Sequence, residues 1–231
     1  MSTSPVTHAR AWLATGIASL AVYVLLAVTV FERYTHAPLP GLDMPVIEFA
    51  YHHRAGFETH VASFDAFMFG DTSGAILGLC VAVLIALLLR DRAGGIWMLA
   101  SILVVVVINT IVKMVVGRAR PTIHRLPAFA HESGNSFSSG HSAFTTVLFG
   151  CLALILLQVI HRRLGRAVLV TVCAVMVLTV MYSRIYIGVH YPSDTVGGFL
   201  LATSWLAFTY PVYVSRRDQV NDAAFLRSPN P

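Results

Sequence analysis

The sequence predicts an all-α protein, a bundle of six transmembrane helices whose long first extracytoplasmic loop contains short interfacial helices. Two observations predict this class. Of the 231 residues, 56% are hydrophobic and only 12% are charged, whereas a soluble domain usually has about 25% charged residues. Six stretches of 17 to 21 residues contain no Asp, Glu, Lys or Arg, and a helix needs about 20 mostly apolar residues to cross a bilayer. The composition therefore excludes a disordered chain, a disulfide-stabilised scaffold and an ordinary cytosolic enzyme.

The six charge-free stretches are the predicted spans of a single integral-membrane domain that covers residues 1–231. They are residues 11–31, 72–89, 93–112, 142–160, 167–183 and 195–215. The first stretch is longer than the apolar region of a secretory signal, which has roughly 7 to 15 residues, and no clear cleavage site follows it. We therefore interpret it as a retained first helix.

The segment between the first two spans, residues 32–71, is the longest predicted loop and contains six acidic residues. Apolar side chains recur at helical spacing over residues 42–50 and again over residues 57–68, which predicts two amphipathic helices lying at the membrane interface. The acids are expected to fill an exposed loop. His52, His53 and His60 lie here without a carboxylate or cysteine pattern that would complete a metal site, so no metal is predicted.

The short linkers that follow the second and fourth spans predict the orientation. Residues 90–92 read Arg-Asp-Arg, and residues 161–166 contain three arginines. Such basic turns are typical of cytoplasmic loops. We therefore predict an integral protein of the inner cell membrane with both termini in the cytoplasm and the first loop outside. The net charge is +5, but the sequence contains no run of basic residues, so nucleic acid is not an expected partner. Membrane lipids are the expected surroundings, and no oligomeric state is predicted.

The remaining ionisable residues gather at four helix ends. Charged groups at membrane depth are costly and usually functional, so these residues are candidates for a site. The third span ends near Lys113 and Arg120, and the fifth ends at Arg184. His141 immediately precedes the fourth span. The sixth is preceded by His190 and Asp194. Because successive spans alternate in direction, all four ends share one face of the membrane, which the orientation places outside.

These residue types suit the binding of a phosphate and an attack on it. Three cations at one depth repel each other unless an anion lies among them, and arginine matches phosphate oxygens well. Ser139 and Gly140 at the start of a helix offer backbone N–H groups to such an anion. Asp194 can orient His190 by accepting from one ring nitrogen, which leaves the other free to act as a nucleophile. Taken alone, His190 and Asp194 could equally be a structural pair.

Three spaced elements resemble the motifs of the type 2 phosphatidic acid phosphatase family. Residues 113–121 match K-x6-R-P, residues 139–141 resemble the end of P-S-G-H, and residues 183–194 match S-R-x5-H-x3-D. One position departs from the family pattern, because Ser138 stands where the family usually has proline. Serine leaves the backbone that enters the expected phosphate cradle less restricted than proline would.

The resemblance implies a role for each motif residue. His190 would be the nucleophile that becomes a phosphohistidine, Asp194 would orient it, and His141 would protonate the leaving oxygen. The phosphoryl oxygens would be held by the remaining motif residues, which are Lys113, Arg120, Ser139, Gly140 and Arg184. The family's chemistry implies neither a metal nor another cofactor, because the cations already neutralise the charge that develops on the phosphate.

We therefore expect a metal-independent hydrolase that removes phosphate from a lipid at the outer membrane face. Undecaprenyl diphosphate is the preferred substrate, and phosphatidylglycerophosphate, phosphatidate and lipid A phosphates remain alternatives. A lipid phosphotransferase would use the same residues. An anion transporter is a remote alternative, because transporters often have broken or charged helices near the bilayer centre, whereas the interiors of these spans are free of charge.

Overall fold

The computed structural model describes residues 5–226, and this part of the chain is helical, with no strand. Its eight α-helices are α1 (Pro5–Arg33), α2 (Asp43–His52), α3 (Gly56–Met68), α4 (Asp71–Leu88), α5 (Arg92–Val116), α6 (Gly140–Leu156), α7 (Arg163–Tyr186) and α8 (Pro192–Leu226). One short 3-10 helix, Pro127–Phe129, lies between α5 and α6. Each predicted span overlaps one of the long helices. The prediction of an all-α fold is therefore confirmed for the described residues.

Three of the described helices are long and apolar enough to cross a bilayer, namely α5, α7 and the part of α1 over Ala9–Arg33. A fourth candidate is the pair formed by α3 and α4, which are bent by 72° relative to each other. Helix α6 is apolar but has only 17 residues. It ends four residues earlier than the predicted span, where Arg166 donates to the carbonyls of Leu157 and Ile160. The protein is integral to the membrane, and the count of six spans stays a prediction.

Helix α8 is the central element, because α1, α5, α6 and α7 all pack against it. Gly198 on α8 allows the closest of these contacts. A Cβ atom at this position would lie 2.4 Å from the carbonyl oxygen of Ser139 and 3.0 Å from the backbone nitrogen of Ala143, both closer than side-chain carbons approach backbone atoms. The absence of a side chain at Gly198 thus brings the beginning of α6 directly against the beginning of α8.

The two short helices predicted between the first two spans are present as α2 and α3. The expectation that the acids of this segment fill an exposed loop is wrong for Asp43 and Asp65, which are buried. Asp65 accepts a hydrogen bond of 2.5 Å from the hydroxyl of Ser183 at the end of α7. Hydrogen bonds to polar groups elsewhere in the fold offset the cost of burying these two carboxylates. The same contacts join α2 and α3 to the bundle.

Candidate active site

The four helix ends that contain the sequence motifs surround one cavity of about 670 Å³. Of the predicted site residues, six line this cavity: Lys113, Arg120, Gly140, His141, Arg184 and His190. Asp194 lies behind His190. Ser139 is fully buried at the N-cap of α6, where its hydroxyl accepts from the backbone N–H of Ser142. The structure therefore brings Gly140, and not the Ser139 hydroxyl, to the cavity wall.

His190 lies between the carboxylate of Asp194 and the guanidinium of Arg120. Its Nδ1 atom lies 3.4 Å from Oδ2 of Asp194, and its Nε2 atom lies 3.3 Å from a guanidinium nitrogen of Arg120. Burial lowers the pKa of His190 well below its usual value, and the neighbouring cations Lys113, Arg120 and Arg184 lower it further. The imidazole is therefore neutral near pH 7. A neutral ring that donates from Nδ1 to a carboxylate keeps a lone pair on Nε2, the nitrogen needed for a nucleophilic attack.

Asp194 is fixed in turn by Arg118, a residue that the motif analysis left without a role. The Arg118 side chain is completely buried and donates to Oδ1 of Asp194 at 2.7 Å and to Oδ2 of Asp43 at 2.8 Å. It also donates to the Ser193 hydroxyl at 2.7 Å and to two backbone carbonyls that follow α1. Asp43 accepts from the backbone N–H of Ser193 at 2.8 Å. One guanidinium thus joins α2 to the beginning of α8.

Glu132 lies between two of the predicted phosphate ligands. One carboxylate oxygen accepts from Arg120 at 2.8 Å, and the other accepts from Arg184 at 2.6 Å. Burial by itself would raise the pKa of Glu132, but the charges of Arg184 and Arg120 outweigh burial and lower this pKa below its usual value. Glu132 is therefore ionised and occupies the kind of position that a phosphate oxygen pair takes between two arginines.

Arg184 lines the cavity and retains donors without a partner in the described part of the chain. Its side chain is 1% exposed, and its Nε and Nη1 atoms have no hydrogen-bond partner within the described part of the chain. A buried N–H group without a partner is costly, and such groups in native proteins are usually met by water, an ion or a ligand. Lys113 lines the same cavity and donates to the carbonyl of Asn135 at 3.0 Å. An anionic ligand would satisfy the unused donors of Arg184.

The loop that precedes α6 is held by side chains from two other helices. Ser138, at the position where the motif usually has proline, donates to Oδ1 of Asn109 on α5 at 2.5 Å. Tyr23 of α1 lies 3.5 Å from the same hydroxyl. At the beginning of α6, Nε2 of His141 lies 3.4 Å from the carbonyl of Ala66 on α3. The hydroxyl of Ser138 thus makes a contact with α5 that proline could not make.

The model of the PAP2 superfamily matches residues 94–218, which is more than half of the chain and includes all three motifs. The chain belongs to the PAP2 superfamily. The resemblance that the motifs indicate is thereby confirmed. Within the residues that the structure describes, no group of three or more His, Cys, Asp or Glu side chains has an arrangement that could hold a metal ion.

This PAP2 protein is similar to relatives from Sulfolobus acidocaldarius and Bacillus subtilis. It is 30% identical over 131 residues to an undecaprenyl-diphosphatase of Sulfolobus acidocaldarius, with 55% of this chain and 59% of the relative aligned. It is 31% identical over 99 residues to phosphatidylglycerophosphatase B of Bacillus subtilis, with 41% of this chain and 45% of the relative aligned. The aligned region thus spans about half the length of each relative.

A crystal structure of a PAP2-type phosphatidylglycerolphosphate phosphatase from Bacillus subtilis has the same fold. The two structures superpose with a TM-score of 0.70 at 20% sequence identity, and the match covers 87% of this chain and 96% of the other. At this identity the likeness establishes the membrane PAP2 fold alone.

Sequence reasoning missed Arg118, Asp43 and Glu132. Arg118 occupies an unspecified position of its motif, and its partner Asp43 is 75 residues away. A signal for Glu132 was available, because it is the only acidic residue between Asp91 and Asp194. A lone acid among motif cations indicates a charge partner.

Proposed function

We propose that this PAP2 protein is a lipid phosphatase that transfers the phosphoryl group of its substrate first to His190 and then to water. The observation that supports this most directly is the arrangement around the cavity: Nε2 of the buried, neutral His190 lies beside Arg120. Arg184, which has two buried donors without a partner in the described part of the chain, lines the same cavity. An attacking nitrogen and anion-binding donors are the two things that phosphoryl transfer to an enzyme requires.

In the first step, the lone pair of Nε2 of His190 forms a bond to phosphorus while the bond from phosphorus to the leaving oxygen breaks. Asp194, held by Arg118, accepts from Nδ1 and stabilises the positive charge that develops on the ring. Lys113, Arg120 and Arg184 stabilise the negative charge on the phosphoryl oxygens. Burial, and after it the charge of Arg184, lower the pKa of His141 to about 3. His141 can therefore give a proton to the leaving oxygen only if the negative charge of the bound substrate raises this pKa and protonates the ring.

In the second step, water attacks phosphorus and the nitrogen–phosphorus bond breaks. His141, now neutral, takes a proton from this water, and inorganic phosphate leaves. The cycle returns both histidines to their initial states and consumes one water molecule. The cations of the site neutralise the transferring group throughout, so the proposed cycle needs neither a metal nor another cofactor.

We propose a lipid diphosphate, with undecaprenyl diphosphate first, as the substrate, because the relative from Sulfolobus acidocaldarius is named for that activity. The relative from Bacillus subtilis makes phosphatidylglycerophosphate the second choice. We also propose six spans, cytoplasmic termini and a site that faces outside, supported by the arginines at 90–92 and 161–166. A reporter protein that is active only in the cytoplasm should be active when it is fused to either end of the chain. Activity at both ends of a reporter that works only outside the cytoplasm would reverse the proposed orientation.

Phosphate release from a panel of diphosphate and monophosphate lipids, with chelator present, tests the activity. The wild-type protein should release phosphate, His190→Asn should release none, and His60→Asn should match the wild type because His60 is exposed on α3. Labelled substrate should leave an acid-labile label on the wild type that the His190→Asn variant lacks. Turnover by that variant would overturn the assignment of the nucleophile. Label that passes to an added acceptor lipid, with no release of free phosphate in the absence of acceptor, would identify a phosphotransferase instead.

A further inference from the structure

Helix α3 brings a backbone group to the candidate site, although it lies outside residues 94–218, the part that matches the PAP2 model. The carbonyl oxygen of Ala66, in the last turn of α3, lies 3.4 Å from Nε2 of His141. The last carbonyls of a helix have no partner within that helix. The N–H of Gly70, which a longer helix would direct to Ala66, donates instead to the carbonyl of Phe67 at 3.3 Å. The carbonyl of Ala66 is therefore available to accept from His141.

The position of α3 is fixed by α7, the helix that ends at the candidate site. In the last turn of α3, Asp65 accepts from the hydroxyl of Ser183 at 2.5 Å. Near the beginning of α3, the hydroxyl of Thr59 lies 2.7 Å from the hydroxyl of Tyr186. Contacts at both ends of α3 thus hold the carbonyl of Ala66 in place.

The contact with Ala66 decides which nitrogen of His141 carries the proton. A carbonyl oxygen only accepts, so Nε2 of the neutral ring donates to it, and the lone pair of the ring is then on Nδ1. The arrangement is the reverse of that at His190, where Asp194 accepts from Nδ1 and Nε2 keeps the lone pair. Both histidines line one cavity. Each has one ring nitrogen held by an acceptor and a second nitrogen that is available for the reaction.

The end of α3 also favours a positive charge on His141. The C-terminal end of a helix has a partial negative charge, which stabilises a cation beside it. Burial, followed by the charge of Arg184, lowers the pKa of His141, and the hydrogen bond with Ala66 acts against both. The negative charge of a bound phosphate would act in the same direction as Ala66. The contact with α3 thus reduces the increase in pKa that the substrate has to provide.

We propose that the carbonyl of Ala66 orients His141 as the proton donor of the reaction, so that the proton passes from Nδ1 and not from Nε2. This inference rests on the proposed function and makes Ala66 a positioning residue. As the bond from phosphorus breaks, the leaving oxygen keeps the bonding electrons and takes the proton from Nδ1. The ring is then neutral, with its other proton still on Nε2. In the second step, Nδ1 takes a proton from the attacking water.

Nitrogen NMR of protein with isotope-labelled histidine tests the orientation directly. The chemical shift of a ring nitrogen depends on whether that nitrogen carries a proton, and the signals of His141 are identified by their absence from His141→Asn. At neutral pH, His141 should be protonated on Nε2 and unprotonated on Nδ1. A ring that is protonated on Nδ1 alone would overturn the proposal. This measurement does not depend on turnover.

The effect on catalysis is tested by weakening the carbonyl of Ala66 as an acceptor. Replacing Phe67 with its α-hydroxy acid, phenyllactate, keeps every side chain and converts the amide between Ala66 and Phe67 into an ester, whose carbonyl accepts more weakly. For an alkyl monophosphate, whose leaving oxygen needs a proton, kcat/KM should fall at least about tenfold, as expected when a hydrogen bond to a charged ring is weakened. For p-nitrophenyl phosphate, whose leaving oxygen needs no proton, kcat/KM should change by at most about twofold.

The same replacement at Phe64 is the matched control, because Phe64 lies on the same helix and is 59% exposed. Its ratio of kcat/KM for the two substrates should equal that of the wild type. If the ester at Phe67 does not fold, Gly70→Ala perturbs the same carbonyl, since a Cβ atom there would lie 2.9 Å from the oxygen of Ala66. Its control is Gly56→Ala, where a Cβ atom would meet nothing within 4 Å.

An unchanged ratio in the Phe67 ester would overturn the proposal. An equal loss for both substrates would also overturn it, because that result belongs to a helix end that only stabilises the fold. The same two outcomes in Gly70→Ala have the same meaning. A wild-type protein that releases phosphate from none of the lipids in the panel would instead contradict the proposed function, while the NMR spectrum would still report the orientation of His141. The two failures are thus distinguishable.

Discussion

Replacing Arg118 with methionine should both destabilise the protein and slow the reaction. The Arg118 guanidinium is completely buried and lies within 2.8 Å of carboxylate oxygens of Asp43 and Asp194, which are themselves completely buried. Methionine would leave two negative charges without their shared partner. Removing one member of a buried ion pair typically costs about 3 to 5 kcal/mol, and we expect the free energy of unfolding to fall by about this amount.

The effect on catalysis has a separate origin. Without Arg118, Asp194 loses a hydrogen bond of 2.7 Å from a charged donor, and its neutral form becomes more favourable. A neutral Asp194 cannot stabilise the positive charge that develops on His190. A hydrogen bond to a charged group contributes about 1.5 to 3 kcal/mol, which corresponds to a decrease in kcat of about 10- to 150-fold. KM should change much less, because Arg118 does not line the cavity.

Denaturant unfolding in detergent measures the first effect, and phosphate-release kinetics on the folded fraction measures the second. Arg118→Lys keeps a positive charge but cannot reach both carboxylates with a planar fork, so its unfolding should lie between that of the wild type and that of Arg118→Met. Arg166→Met is the control, because Arg166 is exposed, donates to backbone carbonyls and has no carboxylate partner among the residues that the structure describes. Unchanged kcat with a raised KM in Arg118→Met would refute the reasoning, since that pattern belongs to a residue that binds substrate.

Three further perturbations test the charges and contacts of the site. Glu132→Gln should bind inorganic phosphate more tightly than the wild type, because the charge that now neutralises Arg120 and Arg184 is gone; weaker inhibition by phosphate would contradict this. Because the pKa of His190 is lowered in the folded protein, His190 takes up a proton in the unfolded chain at a pH at which it stays neutral in the folded protein, so the wild type should lose stability as the pH falls below about 6.5. Thermal unfolding measured from pH 7.5 to 5 should show a steeper loss of stability in the wild type than in His190→Asn. Equal slopes would contradict the burial of a neutral ring. Ser138→Ala should lower the free energy of unfolding by about 1 to 3 kcal/mol, because it leaves a buried amide oxygen on α5 without its donor; unfolding identical to the wild type would show that this contact contributes nothing.

Much of the fold could be predicted from the sequence because the relevant signals are local. Charge-free runs of span length fall on the long helices, and apolar periodicity places the two short helices α2 and α3. The end of α6 was harder to predict, since residues 157–160 are as apolar as the helix itself but are followed by an arginine that binds their carbonyls. Hydropathy does not register such a capping contact.

The candidate site could be predicted only where its residues belong to motifs or to helix ends. Alternation of direction predicts that Lys113, His141 and His190 share one face of the membrane, and in the structure they line one cavity. The pairing of Arg118 with Asp43 depends on how α2 folds back onto α8, a long-range contact that no local pattern encodes. Asp43 therefore reads as one of several acids in an outer loop, although it is completely buried.

The partners of Arg118 are synthesised at widely separated times. Asp43 precedes Arg118 by 75 residues, and Asp194 follows it by 76. While the ribosome makes α6 and α7, Arg118 has available only the earlier of its two carboxylates. His190, the proposed nucleophile, and Asp194, which would orient it, arrive together, four residues apart, after every cation of the candidate site has been made. A nascent chain that stops before residue 190 therefore contains the proposed phosphate-binding groups and the proposed proton donor His141 but lacks the proposed nucleophile, so we expect hydrolysis only once the last long helix has joined the bundle.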